Sequence, residues 1–97
     1  MAKFVALISW TEQGVKNYRD SIDRAKAGTA AAEKLGGKLT KIYWTLGKYD
    51  LVALTEFPDD ETATAFALAL SSQGNVRTTT MRAYDEAEMT AIVAKNK

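Results

Sequence analysis

Ile42-Tyr43-Trp44-Thr45-Leu46-Gly47-Lys48-Tyr49-Asp50-Leu51-Val52-Ala53-Leu54 reads as two strands joined at a turn. The first of them, Leu39 to Leu46, mixes Thr40, Lys41 and Thr45 with Ile42, Tyr43 and Trp44, the composition of a strand with one wet side. Gly47-Lys48 supplies a tight turn, glycine being the residue that accepts positive φ. The second, Tyr49 to Phe57, carries four consecutive apolar residues at Leu51 to Leu54, the mark of a strand covered on both faces. Pro58 stops it.

Upstream of this hairpin lies another strand and a helix. Phe4 to Trp10 is a nearly unbroken apolar run, again read as a strand covered on both faces. Thr11-Glu12-Gln13-Gly14 leads into a helix whose apolar stripe is Val15, Tyr18, Ile22, Ala25, Thr29, Ala32 and Leu35, in steps of three and four. Gly36-Gly37 ends it with a left-handed cap. Downstream, Asp59 is an N-cap for a helix over about 60–73 that is apolar nearly all round. Gly74 closes it, and Val76 to Tyr84 is the fourth strand. Asp85 with Glu88 three residues on has the form of a capping box, opening a short tail helix over about 85–96.

The order β-α-β-β-α-β plus a helix makes this a single α+β domain, residues 1–97, of the ferredoxin-like kind. Right-handed crossovers and a short hairpin predict an antiparallel sheet in the order 4-1-3-2. Strands one and three would be central, and they are the two with consecutive apolar residues. Strands two and four would be edges, and they carry Lys38, Lys41, Arg77 and Arg82.

A chain of 97 residues has room for one core. Thirteen basic and twelve acidic side chains are interspersed, so no positive stripe exists to displace phosphate counterions, and nucleic acid is not expected as a partner. No cysteine and no histidine occur. Disulfides, thiolate nucleophiles, histidine bases and thiolate or imidazole metal sites are therefore excluded. No metal site and no cofactor are expected. The apolar start, Phe4 to Ile8, is too short for a signal peptide and no stretch reaches membrane-spanning length, so the expected location is the cytoplasm and no membrane partner is expected.

Two helices cover one face of a four-stranded sheet. Yet Val5 and Leu7 alternate with Phe4, Ala6 and Ile8, and Val52 and Leu54 with Leu51 and Ala53, so both faces are apolar. A bare apolar face of several hundred Å² is rare in a monomer. Burying about 500 Å² of it is worth on the order of 12 kcal/mol before association costs. A homodimer or higher homo-oligomer is expected, unless the tail helix folds over the open face.

Gly47-Lys48-Tyr49-Asp50-Leu51-Val52 resembles the Gly-x-Tyr-Asp motif of the GYD domain family. Gly14-Val15-Lys16-Asn17, Pro58-Asp59-Asp60 and Gly74-Asn75-Val76-Arg77-Thr78 resemble it too, so the likeness covers nearly the whole chain. The resemblance implies a ferredoxin-like subunit of the dimeric α/β-barrel group, from a bacterium or archaeon. It brings no catalytic residue that maps onto this chain.

In the expected strand order one end of the sheet gathers Trp10, Trp44, Tyr49, Asp50 and Arg77, with Ser9, Thr11, Tyr43 and Asn75 nearby. Aromatic walls with a few polar groups suit a small planar or polar ligand, and Arg77 would hold a carboxylate or phosphate. Each residue also has a structural reading. Tyr49 would tie its hydroxyl to backbone, Asp50 would tie the turn, the tryptophans would fill core or interface, and Arg77 would guard an edge strand. The first functional reading is thus a non-catalytic homo-oligomer that binds a small ligand or simply assembles. The alternative, from enzymes elsewhere in the dimeric barrel group, is cofactor-independent oxidation or isomerisation of a small aromatic or lactone. Asp50 would then be the base, Tyr49 the proton donor and Arg77 the anion clamp. A third reading is a metabolite-sensing regulator that docks a partner on its alanine-rich second helix.

Overall fold

In a computed structural model, residues 1–96 are described. Four strands, β1 (Ala2–Trp10), β2 (Lys38–Trp44), β3 (Leu51–Phe57) and β4 (Val76–Ala83), form one antiparallel sheet in the order β2-β3-β1-β4. This is the expected 4-1-3-2 order, read from the other edge. Four α-helices accompany it: α1 (Glu12–Lys16), α2 (Ser21–Lys34), α3 (Asp60–Ser72) and α4 (Glu86–Val93). Among the described residues no helix is long and apolar enough to cross a membrane.

α2 lies over β2, and α3 lies over β3 and β4, on the same side of the sheet. The pleat sends alternate residues of the central strands under them. Phe4, Ala6 and Ile8 of β1 and Leu51, Ala53, Thr55 and Phe57 of β3 are all buried there. Phe57 stacks at 5.1 Å from Phe66 of α3 and 6.3 Å from Phe4, and Ala32 of α2 closes the cluster.

The first helix departs from the continuous stripe that its periodicity predicts. The chain breaks at Asn17 (φ −104°, ψ 33°), passes through a 3-10 turn at Tyr18–Asp20, and restarts at Ser21. Val15, Tyr18 and Ile22 consequently lie exposed, while Ser21, Gly28 and Ala32 form the buried face of α2. The cause is local competition for backbone partners. Asn17 Nδ2 donates to the Gln13 carbonyl, and the Arg24 guanidinium takes the carbonyls of Asn17 and Gly14. α1 is also pinned to the β4 end of the chain: Thr11 N–H donates to Asn75 O at 3.1 Å, and the Thr11 hydroxyl donates to Gly74 O. Gly14 packs so close there that a Cβ would sit 1.9 Å from Asn75 O.

The hairpin differs as well. β3 begins at Leu51 and not at Tyr49, so the connection runs through six residues, Thr45–Asp50, with Gly47 alone at positive φ (127°). Its closure is the Thr45 N–H donating to Asp50 O at 2.9 Å. The periodicity sees Tyr49 and Asp50 as strand residues because it cannot see that Asp50 bonds across to β1.

α4 carries the expected capping box, with Glu88 N–H donating to the Asp85 carboxylate and Asp85 N–H donating to that of Glu88. Lys3 Nζ lies 3.2 Å from Asp85 and 3.5 Å from Glu88, and Arg82 approaches Glu88 at 3.7 Å. Beyond this first turn α4 makes no broad contact with any other element, and Met89 and Val93 stay exposed. The tail helix therefore does not cover the second sheet face. The backbone amides of the box, first of all, hold the Asp85 and Glu88 carboxyls below the ordinary carboxylate range, with Lys3 adding to the effect. Lys3 in turn is raised, chiefly by its hydrogen bond to Asp85. Lowered carboxyls stabilise the helix fully above their unfolded pKa and lose that effect as pH falls through the folded value. Amide exchange of residues 86–93 should accordingly speed up below about pH 4, relative to the sheet, while staying flat from neutral pH to the lysine range. Unchanged protection at pH 2 would show that the box does not hold α4.

Candidate functional site

The five candidate residues do not gather on one side of the sheet. β1 and β4 pair Trp10 with Val76 and Ser9 with Arg77, which puts Trp10 under the helices and Arg77 on the opposite, open face. Trp44 also lies on the helical side, where its indole N–H donates to Ser21 Oγ of α2 at 2.8 Å. Arg77 is exposed. Tyr49 sits half-buried in the hairpin connection, with its carbonyl accepting from the Thr45 hydroxyl at 2.7 Å and Lys48 Nζ 5.7 Å from its ring.

Asp50 is bonded through its main chain and its side chain at once. Its N–H donates to Ile8 O, its carbonyl accepts from Thr45 N–H, and its carboxylate accepts the Trp10 N–H at 2.8 Å. The side chain thereby continues the β1–β3 ladder one step beyond the last paired residues, Ile8 and Leu51. One residue fastens β1, β2 and β3 at this end of the sheet. Asp50→Ala leaves the half-buried Trp10 amide without its acceptor and should cost about 1–3 kcal/mol by urea denaturation. Asp50→Asn keeps an acceptor oxygen in place and should cost about half that or less. Equal losses for the two variants would show that the charge, and not the hydrogen bond, matters at this position.

A cavity of about 100 Å³ opens between α2, α3 and the sheet. α2 and α3 barely touch, so the gap between them is floored by Ile8, Leu51 and Ala53 and walled by Ala25, Gly28 and Leu70. Trp10 and Val76 close one end. Arg24, Ser21, Gln73 and Asn75 supply the polar atoms at its margin. Arg24 Nη1 donates to Asn17 O at 2.9 Å and Nη2 to Gly14 O at 3.3 Å. Gln13 Nε2 donates to Asn75 Oδ1 at 2.9 Å. The sequence reading singled out Trp10 but not Arg24, Ser21, Gly28 or Leu70. One signal was available: Gly28 interrupts an alanine-rich helix where no turn is needed. Among the described residues no group of acidic side chains is placed to hold a metal ion.

The opposite sheet face is of another kind. Val5 and Leu7 of β1 and Val52 and Leu54 of β3 form its centre, flanked by exposed Tyr43 and Met81 and rimmed by Lys41, Arg77 and Thr79. Among the described residues no helix lies over it.

Comparison with known proteins matches residues 4–93 to the model of the GYD domain. A relative from Thermus thermophilus, the glutamine synthetase and cystathionine beta-lyase binding protein, is 30% identical over 92 residues, spanning 94% of this chain and 97% of that protein. The crystal structure of TTHA0845 from Thermus thermophilus superposes with a TM-score of 0.57 at 26% identity, over 88% of this chain and 95% of that one. The match over nearly the whole length, with the Gly47-to-Asp50 segment at the closure of the sheet, settles the kinship: this chain belongs to the GYD domain family.

Proposed function

We propose that this chain is a non-catalytic, homo-oligomeric module, a ferredoxin-like subunit of the dimeric α/β-barrel type, whose task is to bind other proteins in the cytoplasm. The observation that carries the reading is the bare apolar sheet face around Val5, Leu7, Val52 and Leu54, which the tail helix leaves open. Pairing with a second copy buries it and frees the helical layers to face outward. On that outward side α3 presents Leu68, which is 66% exposed, beside Ala65 and Ala69, an apolar strip suited to a protein partner. The similar Thermus protein is named for binding glutamine synthetase and cystathionine beta-lyase, and the partners proposed here are enzymes of that kind. Asp50, the base that the enzymatic reading needs, has its carboxylate engaged by the Trp10 amide.

Sedimentation velocity of the purified chain mixed with glutamine synthetase, and separately with cystathionine beta-lyase, from the same source tests the partner half. A faster boundary containing both proteins, lost in Leu68→Glu, is the expected result. Independent sedimentation of each component at about 10 μM, a concentration that populates any complex of micromolar affinity, would overturn it.

A further inference from the structure

We propose that the cavity between α2, α3 and the sheet is a binding site for a small monocarboxylate with an apolar body. Its carboxylate would meet Arg24 and the Asn75 amide at the margin, and its body would lie against Trp10, Leu51 and Leu70. The site goes beyond the partner-binding reading and does not depend on it.

Three features of the chain point to such a ligand. The first is the cavity itself, about 100 Å³ between largely apolar walls. Small-ligand sites are concave and mostly apolar, with a few placed polar groups. The second is Gly28. It is buried in the middle of α2 with ordinary helical φ, a position where alanine is the better helix former. Steric need does not explain it, because a Cβ there would meet only Leu70 Cδ2, at an ordinary 3.8 Å. A larger side chain at Gly28 would simply fill the cavity. The third is charge. Among the described residues Arg24 has no carboxylate within salt-bridge reach. Two of its N–H groups go to carbonyls of the α1 turn, and the others remain for an anion.

Arg24 and Asn75 offer this corner donors. With Asn75 Oδ1 accepting from Gln13, the amide NH2 is the group left to bond outward. Gly14 packs on the main-chain carbonyl of Asn75 and its own carbonyl receives Arg24 Nη2, so Arg24 and Asn75 meet at one residue, and both line the cavity. A guanidinium beside an amide donor suits a carboxylate. The volume sets the body. An apolar cavity of about 150 Å³ accepts benzene, so this smaller one of about 100 Å³ takes a branched aliphatic body of roughly three or four carbons.

Isothermal titration calorimetry with 3-methylbutanoate and 2-methylpropanoate tests the site, with acetate and 3-methylbutanol as controls that carry only the charge or only the body. The expected result is binding of at least one of the two full probes, at least about tenfold tighter than either control. Arg24→Gln should weaken the carboxylate by about tenfold or more while leaving 3-methylbutanol unchanged, a split that a merely structural Arg24 would not produce. Gly28→Leu should abolish binding in a chain that remains folded by circular dichroism. If that variant does not fold, Gly28→Ala takes its place and should weaken the bulkier probe more than acetate. No heat from either full probe up to about 10 mM, equal affinity for acetate, or full binding by the folded Gly28 variant would each overturn the proposal.

Discussion

Replacing Phe57 by alanine should destabilise the chain by about 3–5 kcal/mol, enough to leave much of it unfolded at room temperature. Phe57 ends β3 and is 1% exposed, the largest fully buried side chain. It is where three layers of contact meet: its ring stacks on Phe66 of α3 and Phe4 of β1, and the α2–β2 connection presses on it from the other side. Gly37 approaches so closely that a Cβ would lie 2.3 Å from Phe57 Cδ1. Neighbours held by backbone cannot collapse into the space that the ring vacates, so the cavity term adds to the transfer term. Urea denaturation reads the loss directly. A cost under about 1 kcal/mol would mean that this cluster is not the core that holds α3 to the sheet.

Leu7→Lys should have the opposite character: a small change in the fold and a large one in assembly. Leu7 stands at the centre of the open face, opposite Val52 on β3 and Thr79 on β4. In a single chain it is already half-exposed, and a lysine there can keep its ammonium in water. Across a two-copy interface the same ammonium would be buried, twice over by symmetry, without an acidic partner. Association should weaken by at least about 3 kcal/mol, or more than a hundredfold. The variant should sediment as a folded monomer under conditions where the parent chain is associated. A variant that remains associated would move the interface elsewhere on the molecule.

How much of this was legible in the sequence depends on the range of the interactions involved. Strand order followed from right-handed crossovers and the short hairpin, and Leu51–Leu54 and Phe4–Ile8 agreed with it, because central strands are apolar at consecutive positions while edges tolerate Lys41 and Arg77. The caps at Asp59 and Asp85 were legible for a similar reason: their partners, Thr62 and Glu88, lie three residues away. The break at Asn17 was not, since it depends on Arg24 reaching back seven residues and on the packing of Gly14 against Asn75. The helical period treats Val15, Tyr18 and Ile22 as part of one inward stripe with Ala32, but after the break the phase shifts: Ile22 turns out, and the small residues Ser21 and Gly28 turn inward beside Ala32. Hydropathy gives such residues little weight.

The candidate site shows the same division. The sequence brought Trp10, Trp44, Tyr49, Asp50 and Arg77 to one end of the sheet, and they are at that end. Pleat parity then separates them, with Trp10 and Trp44 under the helices and Arg77 on the open face. The structural reading of Asp50, a residue that ties the turn, describes its bonds to Ile8, Trp10 and Thr45. The cavity beside Gly28 could not be read in advance, because it is made by the distance between α2 and α3 and not by any one residue.

Native mass spectrometry of the freshly purified chain at about 10 μM reads the assembly itself, since an interface that buries the open face should hold at that concentration. A dimer or an even-numbered larger assembly that collapses to monomer in Leu7→Lys is the expected result. A parent chain that is monomeric throughout, with Val5, Leu7, Val52 and Leu54 left in water, would contradict it.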